Sequence, residues 1–530
     1  MFTRLLAKLE QTPMTVSGWF AGFAGVVFIR FFLESLSSGS PSGYLSSDLP
    51  TLIHYGLFYL AAVLAVVVVA RAIAPQLPRT LLRTMVFFVP IMWLAPLIDL
   101  ARGGAPMAYL LVPPHALFHD FLTYFGPLTT PGVTLGIRIE LALLLCGIGA
   151  YVYAHTREAV RTVLVVVASY AVLFVLLAFP SFVAALSFPG SPVTLSLWYL
   201  ERGSLIGHSF LHPAATYDMQ RLFEMLFDAL MAQVWYVVAV GLGILWLAQN
   251  MRALLASVVS NIRPERLAHF LLFTGIGGAI ALGREGTFSG TLADWFTVAT
   301  TVLVVAGAWV FAVAVNDLVD EDIDAISNAD RPLVTGALSH DAMREVAVVA
   351  GLMTFLGALA LGSYAFFSVV VFTAAYYVYS APPLRLKRVP MLASALIGLA
   401  TVACFELGFY LVSADRMLSA FPGRLVLVLF LSVSLIVNVR DLKDIEGDRA
   451  AGVHTLATLI GTRAGMGLGA LVCLAFCIVP FGFMAAPAGL WVLSFIAGGL
   501  SWALLARGGT EKAVFGVYFA YLLLAAFLLA

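Results

Sequence analysis

Half of the chain's aspartates fall in two short windows, and their spacing is where chemistry first shows. The first window reads NDLVDEDIDAISNAD, from Asn316 to Asp330, and the second reads DLKDIEGD, from Asp441 to Asp448. Asp317, Asp320 and Asp324 stand at i, i+3 and i+7, as do Asp441, Asp444 and Asp448. At about 100° per residue, each trio lines one face of a helix. Three carboxylates on one face repel one another. An apolar setting adds about 2.5–3.5 kcal/mol per charge at a bilayer's centre, and less toward its interface. A hard divalent cation relieves this, because Mg²⁺ prefers carboxylate oxygens together with substrate phosphates. A single cluster is equally well read as a solvated helix end. Two matched clusters imply a metal–polyphosphate site.

Basic residues interleave with these acids. Arg331 follows the first window in DRPLVTG, and Arg440, Lys443 and Arg449 surround the second. A third segment, YSAPPLRLKRVP, contributes Arg385, Lys387 and Arg388, and its Pro382-Pro383 pair ends the preceding helix. Alone, such cations read as ordinary membrane anchors. Beside clustered carboxylates they become candidates for diphosphate binding, with Arg forks suited to phosphate oxygens. Glu406 lies inside an apolar run and needs a partner there, either as a structural hydrogen-bonder or as a pocket residue.

The elements that position these residues must be membrane helices. Of 530 residues, 62% are apolar and 11% charged, with mean hydropathy +0.99, against about 25% charged in soluble domains. A bilayer is the solvent such a chain requires. Basic and acidic residues number 29 each, which leaves no bias toward nucleic acid. Spanning helices are expected near 15–36, 50–72, 80–101, 133–155, 159–187 and 225–249. A second series follows near 267–284, 295–319, 342–362, 363–381, 390–412, 424–441, 464–486, 489–506 and 513–530. That is six plus nine, divided in the polar stretch from Gln249 to Arg266, and it gives expected domains 1–255 and 256–530. With the N-terminus in the cytoplasm, inner connections hold 21 of the 29 basic residues and outer ones six, as the positive-inside rule asks. This places both aspartate windows on the cytoplasmic side of a multi-pass membrane protein, in the plasma (inner) membrane if the source is bacterial. The opening MFTRLLAKLEQTP lacks a small-residue cleavage site and is expected to be retained. The four cysteines sit in apolar runs and read as small buried hydrophobes.

These residues resemble the UbiA superfamily of intramembrane prenyltransferases. Asn316-Asp317-x-x-Asp320-x-x-x-Asp324 is similar to that family's first aspartate motif, and Asp441-x-x-Asp444-x-x-x-Asp448 followed by RAAGVHTL to its second. Tyr379-Ser380-x-Pro382-Pro383-x-Arg385-x-Lys387-Arg388 resembles the loop between the family's fourth and fifth helices, and IRPERLAHF resembles its opening. The resemblance covers about 260–530 and implies an all-α bundle of nine helices behind six additional ones. It further implies a prenyl diphosphate held through Mg²⁺, with two ions. Asn316, Asp317, Asp320 and Asp324 would hold one metal, and Asp441, Asp444 and Asp448 the other. Arg331, Arg385, Lys387, Lys443 and Arg449 would meet the diphosphate, with Arg331 and Lys387 stabilising its departure. Tyr376, Tyr377 and Tyr379 would offer π faces to an allylic cation in a dry cavity, with Glu406 at the pocket. The acceptor is lipophilic or membrane-associated. Glyceryl phosphate ethers, chlorophyllides and aromatic acids all stay open.

The N-terminal half lies outside the resemblance. Its intramembrane charges require partners: Arg30 with Glu34, Asp99, and Arg138 with Glu140. His115 and His119, and His208 and His212, stand at i, i+4 in two outer connections, where Zn or Cu would suit them and ordinary packing would too. Lipid delivery, a protein partner or shielding of the catalytic half all remain open. The rival from another class is a lipid or ion transporter, or a scaffold, whose aspartates bind a cation. A transporter would want them near the bilayer midplane.

Overall fold

The computed structural model describes residues 2–37, 49–103, 109–130, 132–187, 219–284, 286, 288–413, 421–443, 445–450 and 454–529. Among them every regular element is helical, and fifteen helices are long and apolar enough to cross a membrane. The chain forms two compact units. One is Met1–Ala256 with Ser289–Thr300 and Leu359–Leu361, and the other is Ser257–Phe288, Thr301–Ala358 and Gly362–Ala530.

The first unit contains the helices Val16–Ser37, Leu49–Ile73, Leu135–Thr156, Ala159–Leu177 and Met219–Asn250. The span expected as one helix over 80–101 comes instead in three pieces: Leu81–Met85, a 3₁₀ turn Val89–Trp93, and Leu94–Ala101. Pro90, in the first turn of the 3₁₀ piece, cannot donate the amide a continuous helix needs. The span expected over 159–187 likewise breaks after Leu177, just before Pro180.

Buried charges in this unit find partners that spacing does not reveal. Arg30 pairs with Glu34 at 3.5 Å, as their separation by one turn suggests, and more closely with Glu140 at 2.6 Å. Arg138 therefore does not take Glu140. Its guanidinium donates to the carbonyls of Tyr124 (2.8 Å), Phe125 (2.9 Å), Gly126 (2.7 Å) and Pro127 (2.7 Å). Tyr124, Phe125 and Gly126 all have left-handed backbones, which turn successive carbonyls toward the cation. Asp99 accepts from the Thr134 hydroxyl (2.5 Å) and from the Gly136 amide (3.0 Å), so it caps the Leu135–Thr156 helix. His54 is fully buried, with Nδ1 at 2.7 Å from Asp228 and Nε2 at 2.5 Å from the Tyr109 hydroxyl. His115 and His119 are exposed, and His208 and His212 lie outside the described residues.

The second unit contains Pro264–Leu282, the greater part of Leu292–Ser327, most of His340–Leu361, and Ser363–Ser380, Leu392–Val412 and Gly423–Ile436. Ala464–Ile478, Ala488–Ala506 and Glu511–Leu529 follow. Gly423–Ile436 tightens into a 3₁₀ segment, Val437–Leu442, which delivers Arg440 and Asp441. Pro264–Leu282 crosses Leu392–Val412 at backbone contact. A Cβ at Gly277 would strike the Phe405 carbonyl, and one at Gly408 would strike that of Thr274. Such crossings use small residues because lipid offers no hydrophobic drive between helices, which leaves van der Waals contact to hold them.

Candidate active site

The helix expected to end near 319 runs on to Ser327, so Asp320 and Asp324 continue the helix that carries Asn316 and Asp317. Asp317, Asp320 and Asp324 are 2%, 5% and 6% exposed, so three carboxylates share one buried face. Buried charges need cations or hydrogen bonds, and the neighbouring elements supply both.

Arg263, at the N-cap of Pro264–Leu282, places Nη2 at 2.7 Å from Asp317 Oδ1. The Asn261 amide donates to Asp317 Oδ2 at 2.6 Å, and Arg331 donates to the Asn261 side-chain oxygen at 3.1 Å. Burial pulls the Arg263 pKa down, Asp317 pulls it up, and burial is the larger effect. Asp320 meets the 385–388 loop, with Oδ1 at 2.8 Å from Arg385 Nη2 and 2.5 Å from Lys387 Nζ. Arg263 and Arg385 both have left-handed backbones, at φ 56° and 41°. Such strain in non-glycine residues tends to gather at functional sites. The Ser380 hydroxyl donates to Asn316 Oδ1 at 3.1 Å. Asp324 accepts from Asn328 at 2.9 Å through Oδ1, while its Oδ2 is buried without a partner.

The second motif is only partly described. Asp441 is half-buried, whereas Asp444 and the Asp448 side chain lie outside the described residues. Lys443 sits 3.6 Å from Glu511, and Arg449 is exposed. Phe270, Trp309, Phe372 and Tyr376 form one aromatic cluster with ring centroids 5.0–5.9 Å apart, and Tyr379 joins it at 6.1 Å from Tyr376. Tyr377 is 51% exposed and takes no part in it. Glu406 is half-buried and makes no ion pair with a described residue.

Asn261, Arg263 and Ser380 were not singled out by spacing. Arg263 and Ser380 stand inside the segments IRPERLAHF and Tyr379-Ser380-x-Pro382-Pro383 without a role assigned to them, and Asn261 has only its position just before the helix start at Pro264.

The donor set suits a hard divalent cation. It is all oxygen, it is negatively charged, and the Asp324 oxygen has no partner of its own. Among the described residues, no three His, Cys, Asp or Glu side chains already stand close enough to cage a metal. Asp317 and Asp320 are held instead by protein cations.

Comparison with known proteins agrees with this architecture. The UbiA prenyltransferase family matches residues 270–529. The chain is 31% identical over 220 residues to digeranylgeranylglyceryl phosphate synthase of Natronomonas pharaonis, covering 39% of this chain and 70% of that one. It is 30% identical to the bacteriochlorophyll synthase 33 kDa chain of Rhodobacter capsulatus, covering 33% and 60%. With homogentisate phytyltransferase of Synechocystis sp. the identity is 31%, covering 36% and 63%. The chain thus spans under two thirds of the latter two relatives. A solved UbiA homolog from Archaeoglobus fulgidus, bound to GPP and Mg²⁺, is 19% identical with TM-score 0.39, covering 51% of this chain and 99% of that one. The fold and the matched segment define an all-helical, multi-pass membrane prenyltransferase class. The chain belongs to the UbiA prenyltransferase family.

Proposed function

We propose that residues 256–530 carry a Mg²⁺-dependent intramembrane prenyl transfer, from a prenyl diphosphate to a lipophilic or membrane-associated acceptor, with release of diphosphate. The observation that carries this reading is the buried belt in which Asp317 and Asp320 face Arg263, Arg385 and Lys387 at 2.5–2.8 Å, while Asp324 keeps an unpartnered oxygen. Positive and negative groups alternate there as a metal-bound polyphosphate requires. Two of the relatives are named for prenyl groups, digeranylgeranylglyceryl phosphate synthase and homogentisate phytyltransferase, which supports the same reaction class.

Asn316, Asp317, Asp320 and Asp324 would hold one ion, and Asp441, Asp444 and Asp448 a second. When bound, such a metal acts as a Lewis acid on the diphosphate oxygens. The chain's own cations do the rest. Arg263, Arg385 and Lys387 would shift from carboxylates to phosphate oxygens and Arg331 from the Asn261 side-chain oxygen, and Lys443 and Arg449 would approach from the second motif. Charge grows on the diphosphate as the bond from the prenyl carbon to oxygen breaks and its electron pair departs with the leaving group. Fixed cations stabilise that charge without reorganising. The acceptor's electron pair, from a hydroxyl oxygen or an aromatic ring, forms the new bond to the prenyl carbon, and the proton it displaces leaves to the released diphosphate. Phe270, Trp309, Tyr376 and Tyr379 present π faces and exclude water from the allylic cation.

The site would open to the cytoplasm, consistent with the concentration of basic residues in alternate connections. Residues 1–255 would serve as an accessory membrane domain. A cation-coupled transporter fits less well, since the first motif sits at the end of a 36-residue helix beside Arg and Lys. The test is transfer by the purified full chain with Mg²⁺, compared with Asp320→Asn and Asp444→Asn. Both variants should fold and lose turnover. Undiminished turnover in either would overturn the assignment of that motif.

A further inference from the structure

His54, Tyr109 and Asp228 come from three separate segments of the first unit and meet in one line of hydrogen bonds. The Tyr109 hydroxyl stands 2.5 Å from His54 Nε2, and His54 Nδ1 stands 2.7 Å from Asp228 Oδ1. The Thr51 hydroxyl donates to the other Asp228 oxygen, and the Trp235 indole donates to the Tyr109 oxygen at 2.6 Å. An indole N–H only donates and an ionised carboxylate only accepts. These two ends fix the protons between them: Nδ1–H points at Asp228, and bare Nε2 receives the Tyr109 O–H.

Every group in the line therefore polarises the same O–H bond in the same sense. His54 can take the proton, Asp228 stabilises the imidazolium that results, and Trp235 stabilises the phenolate left behind. Thr51 holds Asp228 in place. Nucleophile, base and orienting carboxylate stand in this relation in hydrolases of unrelated folds, where geometry and roles identify them rather than order along the chain. A tie that served packing alone would need no such alignment.

The setting selects the electrophile. Phe58, Phe227 and Trp235 surround the Tyr109 ring at centroid distances of 5.8, 5.7 and 6.4 Å, which suits an alkyl chain. The trio's one formal charge is negative, on Asp228, and it disfavours an anionic phosphate ester beside the phenol. His54 and Asp228 lie five and three residues inside the spans Leu49–Ile73 and Met225–Asn250. At 1.5 Å per residue that is about 7.5 and 4.5 Å from the span ends, where lipid ester linkages and water meet.

We propose that Tyr109, His54 and Asp228 form a second catalytic site, in the first unit, which cleaves a neutral carboxylic ester of a lipid. Tyr109 Oη attacks the ester carbonyl while its proton passes to His54 Nε2. The alcohol leaves with that proton, and the acyl group stays on Tyr109. Water then attacks the acyl-tyrosine, passes a proton through His54 to the Tyr109 oxygen, and releases the carboxylic acid. Asp228 stays ionised throughout and acts as a positioning residue. None of these steps uses the aspartate windows.

The test uses the full chain in nonionic detergent and two apolar probes. One is para-dodecylbenzenesulfonyl fluoride, which sulfonylates an activated phenol and releases fluoride, and the other is para-nitrophenyl dodecanoate. Peptide mass spectrometry should find Tyr109 sulfonylated at least tenfold faster than half-buried Tyr55, which stacks on His54 at 4.4 Å. The ester should give a burst of para-nitrophenolate and a dodecanoyl group on Tyr109, and Tyr109→Phe should abolish both. Asp228→Asn and His54→Gln should each slow sulfonylation of Tyr109 at least tenfold while that of Tyr55 changes less than twofold, a split that lost packing would not produce. Equal labelling of Tyr109 and Tyr55 in the wild-type chain overturns the site without recourse to any variant. So does labelling of Tyr109 that ignores Asp228→Asn. A Tyr109 that is sulfonylated but never acylated overturns the ester assignment.

Discussion

Arg263 reaches Asp317, Nη2 to Oδ1 at 2.7 Å, from a backbone held at φ 56°. A left-handed backbone costs a non-glycine residue about 1–2 kcal/mol, so position and charge pull in opposite directions here. Arg263→Gly should relieve the backbone and remove the cation, whereas Arg263→Ala removes the cation alone. The glycine variant should melt higher than the alanine variant, by the equivalent of about 1 kcal/mol. Both should lose at least tenfold in turnover. Equal melting of the two would show that the backbone stores no strain.

Asp320 is held by two cations from one loop, Arg385 and Lys387. Lys387→Met leaves the aspartate one partner and takes a positive charge from the leaving group. Preorganised donors of this kind are worth about 10²–10³ in rate. Lys387→Met should therefore reduce kcat by about a hundredfold, with a smaller rise in KM for the prenyl diphosphate. A rise in KM with kcat unchanged would make Lys387 a binding residue only.

The crossing at Gly408 admits no side chain. Gly408→Val would push the Leu392–Val412 helix off the Thr274 carbonyl. Overpacking of this sort costs about 1–3 kcal/mol, so the variant's melting temperature in detergent should fall clearly. An unchanged melting temperature would mean that the two helices do not meet as described.

His54 ties together Asp228, 174 residues away, and Tyr109, 55 residues away, and the Trp235 indole donates to the same Tyr109 hydroxyl at 2.6 Å. One assignment satisfies every group: His54 Nδ1–H donates to Asp228, and Nε2 accepts the Tyr109 hydroxyl proton. His54→Leu takes the acceptor from the buried Tyr109 hydroxyl, at about 1–3 kcal/mol, and takes one donor from half-buried Asp228, which keeps Thr51. The variant should unfold earlier under heat or limited proteolysis within residues 49–250. Stability equal to wild type would remove this network from the account of what holds the first unit together.

What the sequence reveals follows what is periodic along it. The fifteen apolar runs are local and long, so their number is legible from hydropathy, and the i, i+3, i+7 spacing of Asp317, Asp320 and Asp324 shows a helical face without any structure. Partners brought from elsewhere in the chain leave no such trace. Asn261 and Arg263 meet Asp317 across 56 and 54 residues. Arg138 is answered by backbone carbonyls, which carry no residue identity. Pro90 marks the break of the 80–101 span in the sequence, but apolar length alone reads as one continuous helix. Glu511 looks like an ordinary helix start until the fold sets it 3.6 Å from Lys443.

The most direct test of the central claim is diphosphate release by the detergent-purified full chain. Geranylgeranyl diphosphate and a membrane lipid extract would supply donor and acceptor, with Mg²⁺ or EDTA, for wild type and Asp320→Asn. The account predicts Mg²⁺-dependent release with a prenylated product visible by mass spectrometry, abolished by EDTA and reduced at least a hundredfold in the variant. Release unaffected by EDTA and by Asp320→Asn, or none from folded wild-type protein with donors of several chain lengths, would contradict it.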